Sequence, residues 1–368
     1  MKILHYVDAE NLSWVVPYIE HIKSLESFDV SQALLCRSGG DIERLAKEND
    51  IQVLTWRPLI SGVPLLSPSF VGVIKRFKPD IIHTRLSSAA NIAGYWRKFH
   101  HVPVVSTLDK PAKSKYYAGA SHCIACAEWL KDYMVNSQGM DANKVTVIHN
   151  PVNVSRFSRN EQKRIEFRKI LGLSEDDILF SGMGIYIYRK GFDILIKAFA
   201  ELQKIYDGNN IKLALIGAEG EPGMHENYLR LADKLGVKII MPKNFVSDVR
   251  EWLWASDVFV MPSREEGFSI ALLEAIASGL PVIVSDIKPC TEIIKEIEGS
   301  GFTAKTDSPE SFAKSMLEML NAGTEGRKNL ATNSLRLISQ KFTLESTALK
   351  TFEIYRYVID SESIPRPS

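Results

Sequence analysis

Cysteine is scarce in this chain of 368 residues, which contains only Cys36, Cys123, Cys126 and Cys290. So small and scattered a set argues against a disulfide-stabilised secreted scaffold and favours a reducing, cytoplasmic compartment. Cys123 and Cys126 form a single C-x-x-C pair. Because neither a second pair nor neighbouring histidines accompany it, we interpret the pair as core packing rather than as a zinc or redox site.

Long apolar runs are also lacking. The longest, Phe268 to Val284, is interrupted by Glu274 and Pro281, and it is too short and too polar to cross a bilayer. The opening residues, MKILHYVDAE, carry charges where a signal peptide would be apolar, and they predict a first strand. We therefore expect a soluble protein.

No charge of one sign dominates the composition, since 45 basic and 44 acidic residues leave a net charge of +1. This balance argues against a nucleic-acid-binding protein and against a disordered acidic protein. The balance fails locally, because ten basic residues between positions 51 and 120 face only Asp80 and Asp109. The basic residues are Arg57, Lys75, Arg76, Lys78, Arg85, Arg97, Lys98, Lys110, Lys113 and Lys115.

Short apolar runs alternate with amphipathic segments along the whole chain. One set runs from Ile3–Val7 to Val145–Ile148, and a second set runs from Ile178–Gly182 to Pro281–Ser285. Such alternation predicts parallel sheets covered by helices on both faces. The predicted fold class is α/β, with two Rossmann-like, doubly wound domains over residues 1–157 and 158–343 that face a cleft.

The most informative string lies directly after the predicted strand Val258–Met261, at the carboxyl end where open α/β sheets bind ligands. Its candidate binding residues are Glu266, Gly267, Phe268, Ser269, Ile270 and Glu274. Backbone N–H groups in the first turn of the following helix would form an anion site, and the two glutamates could flank a ligand. The alternative is that both glutamates are ordinary solvated or capping residues.

A second candidate element follows the strand that ends near Gly182. Gly184 and the pair Arg189 and Lys190 suit a diphosphate, because Arg binds oxygens bidentately and Lys acts as a point charge. The alternative is a surface turn with ordinary basic residues. Gly217 ends another predicted strand, but no G-x-G-x-x-G or P-loop string occurs, which argues against a dehydrogenase and a P-loop kinase.

Together these strings resemble the donor-site signature of retaining glycosyltransferases of family 4, which have the GT-B fold. The likeness includes Glu266-x7-Glu274 and its continuation through Gly279-Leu280-Pro281-Val282-Ile283. It implies transfer of a sugar from a UDP- or GDP-type nucleotide sugar, with retention at the anomeric carbon and without a metal or other cofactor. It also implies roles for single residues: Arg189 and Lys190 would neutralise the leaving diphosphate, Glu266 would bind sugar hydroxyls, Glu274 the ribose, and Gly217, Phe245 and Val246 would line the nucleotide pocket.

The N-terminal half resembles the family less closely. Its Lys78–Arg85 string is similar to the family's K-P-D-I-I-H-x-H, with Arg85 in place of the second histidine. Asp109 stands where the family commonly has a histidine. His83, Arg85 and Asp109 are therefore the candidates for the acceptor side, although a lone histidine at a strand end is more often structural.

The resemblance also implies an acceptor and a role for the C-terminus. It indicates a lipid-linked or cell-envelope glycan, such as lipopolysaccharide, and a C-terminal helix over 344–368 that packs back on the first domain. The basic excess predicts docking of that domain on the cytoplasmic face of an anionic inner membrane. The excess of basic residues would also be explained by a solvated basic face or by a soluble anionic acceptor. For the function, two alternatives stay open: a nucleotide-sugar epimerase of the same architecture, or a catalytically inactive nucleotide-sugar-binding subunit.

Overall fold

The computed structural model describes residues 1–242, 246, 248–296 and 301–363, which divide into two compact units. The first unit is Met1–Pro151 together with the segment that starts at Phe342, and the second is Val152–Lys341. The first division lies before the expected boundary at 157. One reason is that the indole Nε1 of Trp254, in the second unit, donates to the carbonyl oxygen of Phe157 at 3.0 Å.

Seven parallel strands form the sheet of the first unit. They are β1 (Lys2–Val7), β2 (Ser31–Cys36), β3 (Gln52–Thr55), β4 (Ile81–Arg85), β5 (Val104–Leu108), β6 (His122–Ala125) and β7 (Val145–Val147). Their order is β3-β2-β1-β4-β5-β6-β7.

Six parallel strands form the sheet of the second unit. They are β8 (Ile178–Met183), β9 (Ile211–Ile216), β10 (Ile239–Ile240), β11 (Val258–Met261), β12 (Val282–Ser285) and β13 (Gly301–Ala304). Their order is β10-β9-β8-β11-β12-β13, and the predicted fold class of two doubly wound parallel α/β sheets is confirmed.

Helices connect these strands and cover the sheets. They are α1 (Val15–Ser24), α2 (Asp41–Glu48), α3 (Ser69–Phe77), α4 (Ser87–His100), α5 (Glu128–Asp132), α6 (Val154–Phe157), α7 (Glu161–Ile170), α8 (Phe192–Ile205), α9 (Met224–Lys234), α10 (Arg250–Ala255), α11 (Ile270–Ala277), α12 (Lys288–Glu296), α13 (Pro309–Asn321), α14 (Gly323–Lys341) and α15 (Leu344–Ser363). In the part of the chain that the structure describes, no helix has both the length and the apolar character needed to cross a membrane.

Both faces of the first sheet are buried, as a parallel sheet requires. Successive residues of a strand point to opposite faces, so Leu4 packs in one cluster with α3 and α4, whereas Ile3 packs in another with α15. Every residue of β4 is buried. The uninterrupted apolar runs in the sequence have this two-sided burial as their physical cause.

The last helix, α15, packs within the first unit. Tyr355 is fully buried in the same cluster as Ile3, Ile81 and Val105, and Phe352 stacks on the ring of Phe28 with centroids 4.6 Å apart. The C-terminal segment is therefore part of the core of the first unit.

The strand order reverses at one place in each sheet. In the first sheet β1 lies between β2 and β4, and in the second β8 lies between β9 and β11. At such a switch point the loops that leave neighbouring strands diverge and open a crevice at the carboxyl edge. The candidate residues lie at these edges: toward the ends of β4 and β5 in the first sheet, and after β8, β9 and β11 in the second.

Candidate functional site

Arg189, Lys190 and Glu266 lie together at the carboxyl edge of the second sheet. Arg189 and Lys190 end a short 3-10 turn after β8, and Glu266 lies in the loop that leaves the adjacent strand β11. Lys190 Nζ donates to Glu266 Oε1 at 2.7 Å, and Arg189 Nη1 lies 3.6 Å from Glu266 Oε2. The structure thus brings together the three residues that the sequence predicts as catalytic.

The three side chains differ in exposure. The Glu266 side chain is 6% exposed and that of Lys190 is 12% exposed, whereas Arg189 is 43% exposed. Ser263 Oγ adds a hydrogen bond of 2.7 Å to Glu266 Oε1. A buried carboxylate needs partners for its charge and its lone pairs, and Lys190, Arg189 and Ser263 supply them to Glu266.

Arg264 positions this cluster, although it is not among the site residues predicted from the sequence. Its guanidinium binds Asp193 bidentately at 2.8 and 2.9 Å, and its Nε donates to Asp307 at 2.7 Å. Its backbone N–H donates to the carbonyl oxygen of Arg189 at 2.8 Å. Arg264 therefore ties the Arg189 turn to the Glu266 loop. The sequence feature that could have identified Arg264 is its position between Pro262 and Glu266, in the string that follows β11.

Two glycines are required at this edge for steric reasons. A Cβ on Gly217, just after β9, would lie 1.9 Å from the carbonyl oxygen of Gly184, whose N–H donates to Ile216 O at 2.9 Å. Gly191 has φ +68°, and a Cβ there would lie 2.1 Å from the carbonyl oxygen of Pro262. These contacts pack the backbone after β8 closely against the ends of β9 and β11.

The N-terminus of α11 lies directly after the Glu266 loop. Ser269 caps the helix, because its Oγ accepts from the backbone N–H of Leu272 at 3.3 Å. Phe268 and Ser269 are buried, whereas Gly267, Ile270 and Glu274 are half-buried. Val246 is half-buried, and Phe245 lies outside the described residues.

In the first unit, Arg85 and Asp109 form an ion pair at the carboxyl edge of the sheet. Arg85 is the last residue of β4, Asp109 follows β5, and Nη1 of the arginine contacts Oδ1 of the aspartate. The Arg85 guanidinium also lies over the rings of Trp14 and Tyr18, at 5.3 and 5.7 Å from their centroids. Burial raises the pKa of the Asp109 carboxyl, and the positive charge of Arg85 opposes that rise.

This pair leaves hydrogen-bonding capacity unused. Within the described residues, Arg85 Nε, Asp109 Oδ2 and Tyr18 OH are buried without a hydrogen-bond partner. Buried polar atoms are normally hydrogen-bonded, so this ion pair retains one donor and one acceptor that a water molecule or another polar group could satisfy.

His83 has a structural role in this arrangement. Its Nε2 lies 2.7 Å from Thr107 Oγ1, and its Nδ1 contacts the hydroxyl of Tyr355. The ring is buried, which lowers the pKa of His83 well below its ordinary value and keeps the imidazole neutral. Both ring nitrogens of His83 therefore have partners inside the core, as the structural interpretation expects, and neither partner is Arg85 or Asp109.

Cys123 and Cys126 are both buried. Among the residues that the structure describes, no group of three or more His, Cys, Asp or Glu side chains is arranged to hold a metal ion.

Comparisons with known proteins match both halves of the chain. The "Glycosyl transferases group 1" model matches residues 163–336, and the "Glycosyltransferase Family 4" model matches residues 20–156. An uncharacterized glycosyltransferase of Methanocaldococcus jannaschii is 30% identical over 97% of this chain and 90% of its own length.

Two further similarities are informative. The UDP-Gal:alpha-D-GlcNAc-diphosphoundecaprenol alpha-1,3-galactosyltransferase of Escherichia coli is 26% identical over 86% of this chain and 87% of its own. The fold is similar to that of Anabaena HepE in its complex with UDP-glucose, with a TM-score of 0.83 and 18% identity over 97% of this chain and 100% of that one.

Proposed function

This chain belongs to the glycosyltransferases of the GT-B fold, and we propose that it transfers a sugar from a nucleotide diphosphate sugar to a lipid-linked or cell-envelope glycan with retention of anomeric configuration. The observation that carries the proposal is the contact of Lys190 and Arg189 with Glu266 at the carboxyl edge of the second sheet. Two cations and one carboxylate match a diphosphate and a sugar hydroxyl.

The reaction breaks the bond between the anomeric carbon and the diphosphate oxygen, and it forms a bond from that carbon to an acceptor hydroxyl. The acceptor proton goes to the departing phosphate oxygen, so no protein base is consumed. Arg189 and Lys190 stabilise the charge that develops on the diphosphate, which is preorganised electrostatic catalysis. Glu266 accepts hydrogen bonds from the donor sugar. Before the donor binds, its pairing with Lys190 keeps both charges compensated.

The remaining donor residues surround the nucleotide in this proposal. Glu274 accepts from the ribose hydroxyls, and the backbone of Phe268, Ser269 and Ile270 faces the diphosphate at the start of α11. Gly184, Gly217 and Gly267 let the nucleotide approach the backbone, and Val246 lies near the base. UDP is favoured over GDP because the similar Anabaena structure is described as a complex with UDP-glucose.

A lipid-linked acceptor is favoured by one relative. The Escherichia coli galactosyltransferase, by its name, acts on a diphosphoundecaprenol-linked sugar, and its similarity covers both halves of this chain. We assign acceptor recognition to the Arg85–Asp109 ion pair at the carboxyl edge of the first sheet, where the Asp109 side chain is 22% exposed and can accept a hydrogen bond from an acceptor hydroxyl.

The direct test is to incubate the full chain with UDP-glucose, UDP-galactose, UDP-N-acetylglucosamine and GDP-mannose, with and without a diphosphoundecaprenol-linked sugar. We expect acceptor-dependent release of the nucleotide diphosphate and, by NMR, an α-linked product from an α-linked donor. Activity should persist in EDTA, since the proposal uses no metal. An epimerised donor without transfer would support the epimerase alternative, and tight nucleotide-sugar binding without any turnover would support the inactive subunit.

Changing Asp109 to asparagine tests the acceptor assignment. The substitution removes the charge that strengthens the hydrogen bond to the acceptor, so KM for the acceptor should rise by roughly 10- to 100-fold. KM for the donor should stay within about twofold, because the donor residues belong to the second unit.

Asp80→Asn is the matched control for this variant. Asp80 is the other acidic residue between positions 51 and 120, and it accepts from the backbone N–H of Lys2 at 2.7 Å. Its variant should keep both KM values. Equal increases in the donor and acceptor KM values of Asp109→Asn would contradict the assignment.

A further inference from the structure

Six large apolar side chains are exposed in two segments of the first unit. In the loop between β3 and α3, Leu59 is 83% exposed and Leu65 is 69% exposed, and α4 adds two exposed rings. The members of this apolar patch are Leu59, Ile60, Leu65, Leu66, Tyr95 and Phe99. Scattered exposed residues are ordinary, but a contiguous group of this size marks an interaction surface.

The two segments are held beside each other by hydrogen bonds. Asn91 Nδ2, on α4, donates to Gly62 O at 2.8 Å, and Trp96 Nε1 donates to Pro64 O at 2.8 Å. The Trp96 ring also contacts those of Tyr95 and Phe99, with centroids 5.3 and 5.2 Å apart. These bonds hold the loop that carries the four exposed aliphatic side chains beside the helix that carries the two exposed rings, so we treat the six side chains as one patch.

Positive charge borders the apolar patch. Lys98 is exposed, and its Nζ lies 5.2 Å from the ring centroids of both Tyr95 and Phe99. The turn that carries the exposed Lys113 and Lys115 lies alongside α4, where a Cβ on Gly119 would come within 2.3 Å of Gly94 O.

In the part of the chain that the structure describes, Lys98, Lys113 and Lys115 form no ion pair, and the acidic residues nearest in sequence have other partners. Between positions 51 and 120 they are Asp80, which accepts from Lys2, and Asp109, which is paired with Arg85. Two other basic residues of this region do form ion pairs: Arg57 with Glu10 and Arg97 with Glu362. Their charge is therefore compensated, and the positive charge beside the apolar patch comes from the lysines.

We infer that the apolar patch is a docking surface for the headgroup region of an anionic lipid bilayer. Aliphatic side chains enter the boundary between headgroups and acyl chains, aromatic rings favour the same layer, and flanking lysines bind lipid phosphates. A protein partner would be matched by apolar area alone, whereas an anionic surface also accounts for the lysines. The inference rests on the proposed lipid-linked acceptor, which would require the enzyme to work at a membrane surface.

The test is co-sedimentation of the full chain with vesicles of phosphatidylcholine alone or of equal parts phosphatidylcholine and phosphatidylglycerol, at low and high salt. The wild type should sediment with the anionic vesicles at low salt. The double variant L59E/L65E should lose at least about tenfold in apparent affinity, because two charges replace inserted side chains. Lys98→Ala should lose about fivefold.

A matched control lies on the second unit. Ile165 and Ile170 on α7 are 54% and 76% exposed, and the double variant I165E/I170E should sediment like the wild type. Equal sedimentation of L59E/L65E and wild type would overturn the inference. So would a wild-type dimer, seen by analytical ultracentrifugation, that L59E/L65E converts to a monomer without any vesicle binding.

The same proteins separate failure of this inference from failure of the proposed function. Sugar transfer to a short, water-soluble acceptor analogue should be equal in the wild type and L59E/L65E. Transfer without vesicle binding by the wild type would overturn the docking surface and leave the transferase proposal standing. Vesicle binding without transfer from any donor would do the reverse.

Discussion

Lys190→Ala is expected to lower kcat/KM for the nucleotide sugar by roughly 10²–10³-fold, the usual effect of removing one preorganised charge contact to a developing anion. The Lys190 side chain is 12% exposed and its Nζ lies 2.7 Å from Glu266. Because the position is nearly closed to solvent, water in the variant would stabilise the diphosphate charge much less than the lysine does. Steady-state kinetics with the preferred donor measure the effect, and most of the loss should be in kcat because the diphosphate charge grows as the bond breaks.

Lys204→Ala is the matched control, because Lys204 lies near the end of α8, is exposed and pairs with Glu201 at 2.7 Å. Its kinetics should match those of the wild type. Lys190→Gln separates charge from packing, since glutamine retains a hydrogen-bond donor toward Glu266. Near-normal activity of Lys190→Ala, with the fold intact by circular dichroism, would exclude Lys190 from the donor site.

Tyr355→Ala is expected to lower the free energy of unfolding by about 3–5 kcal/mol, as truncation of a large buried aromatic side chain does. Tyr355 is fully buried between α15 and the sheet of the first unit, and its hydroxyl contacts Nδ1 of His83. The variant creates a cavity and also leaves that ring nitrogen without its partner. Urea denaturation of the full chain, followed by fluorescence and circular dichroism, measures the change.

Tyr357→Ala provides the control on the same helix. Tyr357 is 59% exposed, so its removal should change the free energy of unfolding by no more than about 0.5 kcal/mol. If the two variants were equally stable, α15 would not be packed in the core of the first unit.

Most strands could be predicted because burial on both faces demands continuous apolar runs. The runs Val104–Thr107 and Val258–Met261 in the sequence correspond to β5 and β11. Two elements were harder to predict. β13 lies at the edge of its sheet and includes only one fully buried residue, Ala304, and α14 buries only Ala331, Ser334 and Ile338 along its length. Their apolar pattern is too weak to separate them from loops.

The candidate donor-site residues could also be predicted in part from the sequence. Arg189, Lys190 and Glu266 could be identified because each follows an apolar run, and the ends of parallel strands share one edge of the sheet. The contacts among these residues could not be predicted, because Lys190 and Glu266 are 76 positions apart in the chain and meet only when β8 and β11 are neighbours in the sheet. The bidentate contact of Arg264 with Asp193, which fixes the geometry of the turn, depends on the same adjacency.

The sequence by itself therefore determined the α/β class, the residues at the carboxyl ends of the strands and the family resemblance, because these depend on local pattern and spacing. Only the tertiary structure decided what those residues do to one another. His83 illustrates the difference: as a residue at a strand end it was a candidate for the acceptor side, but Tyr355, which lies 272 positions away, and Thr107 occupy its two nitrogens. Arg85, at the end of β4, and Asp109, directly after β5, instead keep a donor and an acceptor unused. The protonation, exposure and bonding of a polar side chain depend on the groups packed around it, and strand order and helix packing bring those groups from distant parts of the chain.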